Sequence, residues 1–150
     1  MKILFICHAN VCRSFMAQEL LVRLLPKVTV FSRGMYVDPF LRVPEKITRF
    51  LAGQGITPRT HTPTQLSPED LQQADLIFCM EPHHQEMLLD RYAQYTDKIW
   101  LLAEYAFGKP EAIDDPIDLS GRAFEKQAQL LAKTVCACAE RLKKEFPQVL

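Results

Sequence analysis

The chain has 150 residues, and its 18 basic and 18 acidic side chains give a formal net charge of zero. This balance leaves no basic excess with which to attract nucleic acid or an anionic membrane surface. The hydrophobic share of 48% and the length are those of one ordinary folded domain. We therefore predict a single domain over residues 1–150, with neither nucleic acid nor membrane as a partner.

The apolar and cysteine patterns bear on the compartment. No apolar run approaches the roughly 20 residues of a membrane span, and the apolar stretch Met1–Cys7 is too short for a secretion signal. Five cysteines are an odd number and too sparse for a disulfide scaffold. We expect a cytoplasmic protein with free thiols and no cofactor, and the sequence leaves its oligomeric state open.

Along the chain, short apolar runs alternate with stretches of helical spacing. Strands are predicted at Lys2–Cys7, Val28–Phe31, Asp75–Met80 and Lys98–Leu102. Helices are predicted from Met16 to Leu24, from Pro44 to Gly53, after Ser67, at His83–Tyr92, and from Phe124 to Phe146. Loops are predicted at Ile56–Leu66 and Tyr105–Leu119.

This alternation predicts the fold class. Strand followed by helix, repeated about four times, indicates parallel strands joined by right-handed crossovers. We expect an α/β domain of the doubly wound, flavodoxin-like kind, with a four-stranded parallel sheet and helices on both faces. Ligands of such sheets bind beyond the carboxyl ends of the strands, so the segment after the first strand is where we expect the chemistry.

The segment Cys7–Ser14 joins that first strand to the next helix. Its backbone N–H groups and the helix N-terminus can surround a tetrahedral anion, and the guanidinium of Arg13 can bind two phosphate oxygens at once. The positive charge of Arg13 and the helix N-terminus would also favour the thiolate form of Cys7, which is then an in-line nucleophile at phosphorus. The alternative is a buried structural cysteine with Arg13 at the surface.

The residues of this loop carry further expectations. Asn10 tolerates left-handed backbone angles, and the Ser14 hydroxyl can donate to the thiolate. We expect the remaining loop residues to contact the phosphate; they are His8, Ala9, Asn10, Val11, Cys12 and Ser14. A base role for His8 is disfavoured, because the mechanism requires an acid opposite the thiol.

At these residues the chain resembles the low-molecular-weight protein tyrosine phosphatases, whose motif is Cys-x-Gly-Asn-x-Cys-Arg-Ser-Pro. The resemblance implies that Cys7 is the nucleophile and Arg13 the phosphate ligand. It extends over nearly the whole chain, through segments similar to family segments at Ser32–Met35, His61–Leu66, Ala74–Ile77 and Asp115–Pro116. Two departures lie in the loop region, Ala9 for the family's glycine and Phe15 for its proline.

The resemblance makes Asp115 the general acid. A tyrosyl leaving group has a pKa near 10, so a proton donor opposite the thiol assists its departure. Pro116 restricts Asp115 to an extended backbone, and the same carboxylate would afterwards activate water. The alternative is a turn or helix-cap aspartate, with Asp114 and Asp118 as weaker candidates.

The resemblance also suggests supporting and substrate-wall residues. Ser32 and His61 would brace the loop through Asn10, although both also suit ordinary turns. An aromatic residue follows Asp-Pro in the family, whereas Ile117 stands here, so one substrate wall is aliphatic. Tyr36 or Phe40 is expected to form the other wall, with a place in the core as the alternative for both.

The other cysteines and three candidate functions complete the hypothesis. Cys12 is expected to capture an oxidised Cys7 as a reversible disulfide, or else only to pack; no metal site is predicted.

The expected function is a metal-independent protein tyrosine phosphatase working through a phosphocysteine. The alternatives are a thioredoxin-coupled arsenate reductase, for which Cys79 lacks a partner in the following helix, and a silent phosphoprotein-binding domain.

Overall fold

The computed structural model describes residues 1–150. Four strands form one parallel sheet: β1 (Lys2–Cys7), β2 (Thr29–Gly34), β3 (Leu76–Cys79) and β4 (Ile99–Leu101). Their spatial order is β2-β1-β3-β4, with Ile3 of β1 in register with Val30 of β2 and Leu76 of β3. The predicted doubly wound α/β fold is confirmed.

Six α-helices surround the sheet: α1 (Arg13–Leu24), α2 (Glu45–Gly53), α3 (Pro68–Gln73), α4 (Pro82–Arg91), α5 (Leu102–Phe107) and α6 (Gly121–Glu145). A 3₁₀ helix covers Ala93–Lys98. As expected, Ser67 caps α3: its hydroxyl accepts from the Asp70 amide, and the Asp70 carboxylate accepts from the Ser67 amide. No helix of the protein combines the length and apolar character needed to cross a membrane.

The core lies on both faces of the sheet. It consists of two clusters of buried apolar residues. Ile3 and Phe5 of β1 belong to the larger cluster, which also contains apolar residues of α1 and α6. Leu4 and Ile6 of β1 belong to the smaller cluster, with residues of α3 and α4. Because strand side chains alternate between faces, a central strand covered on both faces is apolar without interruption. This explains the continuous apolar run at the start of the chain.

The predicted loop Tyr105–Leu119 is wrong in its first part. Residues Leu102–Phe107 form α5, which ends at Gly108 in the left-handed conformation (φ +72°). The Tyr105 ring packs 4.9 Å from that of Phe78, and its hydroxyl donates to Glu145 of α6. A helix of six residues is too short to display a helical period in the sequence, and tertiary packing stabilises it instead.

Candidate active site

The site is built first on the turn between β1 and α1. Asn10 has φ +60° and is the one residue other than glycine with positive φ. The turn directs the Asn10 backbone N–H to the Cys7 Sγ at 3.3 Å, and the Ser14 Oγ lies 2.9 Å from the same sulfur. Cys7 is 3% exposed. Its sulfur is therefore buried within the turn, beside the backbone N–H of Asn10 and the hydroxyl of Ser14.

Asn10 is the residue through which this turn is held. Its Nδ2 donates to the Oγ atoms of Ser14 (2.7 Å) and Ser32 (3.0 Å), and its Oδ1 accepts from the Thr64 amide (2.9 Å). The His61 Nε2–H donates to the Asn10 carbonyl at 2.8 Å. Ser32 and His61 thus lie where the family resemblance placed them. A fully buried asparagine with every group paired fixes the strained backbone it occupies.

Two residues of this brace were missed by the sequence interpretation. Gln18 accepts from the Ser32 hydroxyl at 2.7 Å and is almost fully buried. It lies one helical turn after Ser14, so an i, i+4 pattern in α1 could have indicated it. Thr64 takes part through its backbone amide, which leaves no side-chain signal in the sequence.

The two departures from the family motif fit without strain. Ala9 does not take a positive φ, so its backbone angle is one that any residue adopts. Phe15 is buried and stacks on the His61 ring, with centroids 4.4 Å apart and ring planes 21° from parallel. Burial lowers the pKa of His61, which keeps the ring neutral while one nitrogen donates to Asn10.

Gly34, at the end of β2, borders the loop from the other side. The Met35 amide donates to the Cys7 carbonyl (2.9 Å), and the Tyr36 amide donates to the His8 carbonyl (2.8 Å). A Cβ built on Gly34 would lie 2.7 Å from Val37 Cγ2 and 3.0 Å from both the His8 carbonyl oxygen and the Ala9 carbonyl carbon. The close approach of two backbones therefore requires glycine here.

Arg13 enters the site from the first turn of α1 and is 2% exposed. Its Nη1 donates to the Ile113 carbonyl at 2.8 Å and lies 3.1 Å from Glu81 Oε1, while its Nη2 lies 3.5 Å from Asp115 Oδ2. Its buried Nε–H has no partner. An unpaired buried donor on a charged group is costly, and an oxygen of a tetrahedral anion would satisfy it.

Asp115 is brought to the guanidinium by the loop between α5 and α6. Its side chain is 35% exposed, and its Oδ1 accepts from the Ile117 amide at 3.1 Å. Pro116 is buried and Ile117 is half-buried against the larger core cluster. The structure therefore holds a partly exposed carboxyl beside the buried guanidinium of Arg13.

The exposed rim of the site is aromatic on one side. The His8 ring lies 5.3 Å from the Tyr36 ring and 5.8 Å from the His84 ring. Tyr36 is 49% exposed, whereas Phe40 is 90% exposed and packs against none of these rings. Both residues lie outside the core, and the geometry favours Tyr36 over Phe40 as a substrate wall.

Glu81 and His84 are neighbours of Arg13 that the sequence interpretation did not assign to the site. Glu81 is the second residue after the end of β3, and its Oε2 lies 3.5 Å from the His84 Nδ1. His84 is 1% exposed and its Nδ1 has no hydrogen bond. Burial lowers the pKa of His84. The position of Glu81 at the carboxyl edge of the sheet was the available signal.

The remaining thiols differ in their surroundings. Burial, with Asp115 and Cys7 adding to it, raises the pKa of Cys12 to about 12, and burial alone raises that of Cys79 to about 12. Capture of an oxidised Cys7 by Cys12 stays a prediction, to be tested by recovery from peroxide in Cys12→Ala. No cluster of three or more histidine, cysteine, aspartate or glutamate side chains is placed to hold a metal ion.

A cysteine and an arginine at the two ends of one anion-binding turn, in a four-stranded α/β fold, are the features of the small cysteine-based phosphatases. The model of the family described as low molecular weight phosphotyrosine protein phosphatase matches residues 2–148. The chain belongs to this family of protein phosphatases.

Individual relatives cover the chain almost completely. A protein-arginine-phosphatase of Bacillus subtilis is 28% identical, with 97% of this chain and 99% of that protein aligned. The low molecular weight protein-tyrosine-phosphatase Wzb of Salmonella typhi is 30% identical over 96% of this chain and 95% of its own. A solved structure of the YwlE arginine phosphatase, a cysteine-to-serine mutant with a phosphorylated active-site serine, superposes with a TM-score of 0.88 at 27% identity, covering 97% of each chain.

Proposed function

We propose that the protein hydrolyses phosphorylated side chains of proteins through a phosphocysteine on Cys7, with Arg13 as the phosphate ligand and Asp115 as general acid and base. The observation that carries this proposal is the buried Nε–H of Arg13, which lacks a partner beside the Cys7 loop. A phosphoryl oxygen supplies that partner. The thiolate, guanidinium and carboxyl provide nucleophile, anion site and proton, so the reaction as proposed requires no metal.

The first step forms the phosphocysteine. The Cys7 thiolate attacks phosphorus, the bond between phosphorus and the substrate oxygen breaks, and the Asp115 carboxyl gives its proton to that oxygen. Backbone N–H groups of the loop and the Arg13 guanidinium stabilise the charge on the three equatorial oxygens. The Ser14 hydroxyl, 2.9 Å from the sulfur, stabilises the thiolate before attack and on its departure.

The second step returns the enzyme to its starting state. The Asp115 carboxylate takes a proton from water, and the water oxygen attacks phosphorus. The P–S bond then breaks, which releases inorganic phosphate and the Cys7 thiolate. Both steps use one carboxyl in opposite protonation states, as a single acid/base group on the leaving-group side requires.

Phosphotyrosine is the substrate that we propose. A phenyl ester fits a rim formed by the rings of His8 and Tyr36, 5.3 Å apart, with the aliphatic Ile117 on the opposite loop. The family's own description and the tyrosine phosphatase of Salmonella typhi support the same substrate.

Phosphoarginine is a second candidate. The relative from Bacillus subtilis is a protein-arginine-phosphatase, and the two carboxylates near the guanidinium, Glu81 at 3.1 Å and Asp115 at 3.5 Å, could accept hydrogen bonds from a substrate guanidino group. The aromatic rim favours phosphotyrosine over this alternative.

One assay separates these possibilities. Two peptides that are identical except for the phosphorylated residue, phosphotyrosine in one and phosphoarginine in the other, are incubated with the enzyme in the presence of EDTA. We expect release of phosphate with higher kcat/KM from the phosphotyrosine peptide, lost in Cys7→Ser and retained in Cys136→Ser, since Cys136 is an exposed thiol. The opposite preference would assign the arginine substrate.

The same protein samples also test the two remaining alternatives, a phosphoprotein-binding domain and an arsenate reductase. Binding of either peptide without turnover would make the protein a phosphoprotein-binding domain and overturn the proposal. Reduction of arsenate with thioredoxin would support the reductase alternative, against which the complete burial of Cys79 already counts, because a relay thiol must reach a partner.

A further inference from the structure

Two loops border the proposed active site. The loop after β2 carries Tyr36, and the loop between α5 and α6 carries Asp115. Lys46, in the first turn of α2, follows the first loop in the chain and contacts the second. Its Nζ donates to the carbonyl oxygens of Ile117 and of Leu119, the latter at 2.7 Å. These carbonyls lie two and four residues after Asp115.

Lys46 is well anchored for such a contact. Its neighbours Ile47, Phe50 and Leu51 on α2 are buried in the larger core cluster, so the backbone from which the side chain extends is fixed. The ammonium is 5.4 Å from the centroid of the Phe124 ring, within cation–π range. Lys46 forms no ion pair with a carboxylate, and its charge is directed to two backbone carbonyls.

The other hydrogen bonds that hold the Asp115 loop from outside precede Asp115, apart from the contact of Arg13 Nη2 with the Asp115 carboxylate. The Ile113 amide donates to the Met80 carbonyl at 2.8 Å, Arg13 donates to the Ile113 carbonyl, and Gln127 Nε2 donates to the Asp114 carbonyl at 3.0 Å. On the far side of Asp115, Lys46 provides the hydrogen bonds from another element. The loop that carries the Asp115 carboxyl is therefore held by Arg13 on one side of this residue and by Lys46 on the other.

We propose that Lys46 is a positioning residue that holds Asp115 where its proton reaches the leaving oxygen of the substrate. This inference rests on the proposed role of Asp115. Loss of the Lys46 contacts frees the second half of the loop while the Cys7 turn and Arg13 stay in place. The defect should therefore be confined to protonation of the leaving group, and it should be larger for a poor leaving group than for a good one.

The test compares phenyl phosphate, a poor leaving group like tyrosine, with p-nitrophenyl phosphate, whose phenolate leaves readily without a proton. We expect kcat/KM of Lys46→Met to fall about 10-fold or more for phenyl phosphate and only about 2-fold for p-nitrophenyl phosphate, since small misplacements of a catalytic group are costly. Inhibition by inorganic phosphate should be unchanged. Lys46→Arg, which keeps the donors, should restore most of the lost rate.

Arg49→Met is the matched control, because Arg49 lies on the same helix but is 70% exposed and paired with Glu45. It should leave both substrates unaffected. Equal losses on the two substrates in Lys46→Met, with weaker phosphate inhibition, would indicate a merely structural role and overturn the inference. If Lys46→Met does not fold, Lys46→Gln, which keeps one donor, must show the same leaving-group dependence at smaller amplitude, and its absence would equally overturn the inference.

Asp115→Asn distinguishes failure of this inference from failure of the proposed function. A steep leaving-group dependence in Asp115→Asn without one in the Lys46 variants would refute the role of Lys46 alone. No leaving-group dependence in Asp115→Asn would refute the assignment of the acid itself.

Discussion

The two loops that form the site are held in different ways. In the Cys7 loop, Asn10 is completely buried and bonds to Ser14, Ser32, Thr64 and His61. In the loop between α5 and α6, Asp115 is 35% exposed, and residues before and after it are held by side chains from α1, α2 and α6. The proposed anion site is thus held by one fully buried side chain that pairs at every group, whereas the proposed acid is partly exposed and its loop is held mainly through backbone carbonyls.

This difference between the two loops indicates that they support different steps of the proposed reaction. Phosphate binding and attack, as we propose them, depend on a buried turn whose central residue Asn10 is paired at every group, so they should resist changes away from Asn10 and its neighbours. Departure of the leaving group depends on a loop whose position is set by neighbours, so it should be sensitive to remote substitutions such as those at Lys46. Of the four predictions below, which run from the largest effect to the smallest, three test the first half of this division and the last tests the burial of His84 beside Glu81.

Replacing the nucleophile should separate binding from chemistry. Cys7→Ser should lower kcat by roughly 10⁴-fold or more, because serine lacks an accessible anion at the attacking position. Inorganic phosphate should still bind with nearly unchanged affinity, measured by calorimetry, since the loop amides and Arg13 are retained. Loss of phosphate binding in this variant would show that the anion site is not built independently of the sulfur.

Removing the central brace should affect both stability and rate. Asn10→Ala removes a donor from the buried hydroxyls of Ser14 and Ser32 and leaves the Thr64 amide without its acceptor, so we expect the free energy of unfolding to fall by roughly 1–3 kcal/mol and kcat by about 100-fold. Urea unfolding and steady-state assays measure the two effects. Asn10→Gly relieves the backbone strain at φ +60° but not the lost hydrogen bonds, so it should recover part of the stability and little of the rate.

Replacing Gly34, where β2 closely approaches the Cys7 loop, should have a smaller effect on activity. Gly34→Ala places a Cβ against the backbone of His8 and Ala9, so the loop must shift, and we expect about a 10-fold fall in kcat/KM with about 1–3 kcal/mol of lost stability. Gly53→Ala is the matched control, because nothing lies within 4 Å of a Cβ there and α2 gains helix propensity. Equal activity in the two variants would contradict the tight fit of the loop.

The smallest expected effect is a pH dependence of stability. The pKa of His84 is lowered from its ordinary value of 6.5 by burial, so the unfolded chain binds this proton more readily than the folded one. The free energy of unfolding should fall as pH decreases below about 6.5, until the lower folded-state pKa is reached. His61 acts in the same direction and remains in both proteins compared.

His84→Gln removes the contribution of His84 alone. Urea unfolding of both proteins at about pH 7.5 and at about pH 5.5 measures the difference. The wild type should lose more stability than His84→Gln over this interval. Parallel losses would contradict the account of His84 as a buried neutral ring beside Glu81.

The sequence predicted the contiguous parts of the molecule well. The β1 run, the Cys7–Ser14 turn and the start of α1 adjoin one another in the chain, so their chemistry and local structure were visible together. Ser32 and His61 entered through the family resemblance, because their contacts with Asn10 span 22 and 51 residues and no local pattern encodes them.

The remaining site residues could not be predicted for the same reason. The contact of Lys46 with the Ile117 carbonyl spans 71 residues, and that of Arg13 with Glu81 joins α1 to the end of β3. A carbonyl acceptor carries no side-chain signature, and a surface lysine at a helix start has many ordinary uses. The helix α5 escaped prediction because packing against α6, not propensity, stabilises it.

The most direct test of the central claim is to trap the intermediate. Asp115→Asn, mixed with p-nitrophenyl phosphate and quenched during turnover, is digested and its peptides are analysed by mass spectrometry. The account predicts one phosphoryl group on the sulfur of Cys7, absent from Cys7→Ala treated in the same way. Turnover with no phosphoryl group on Cys7, or with the group on another side chain, would contradict it.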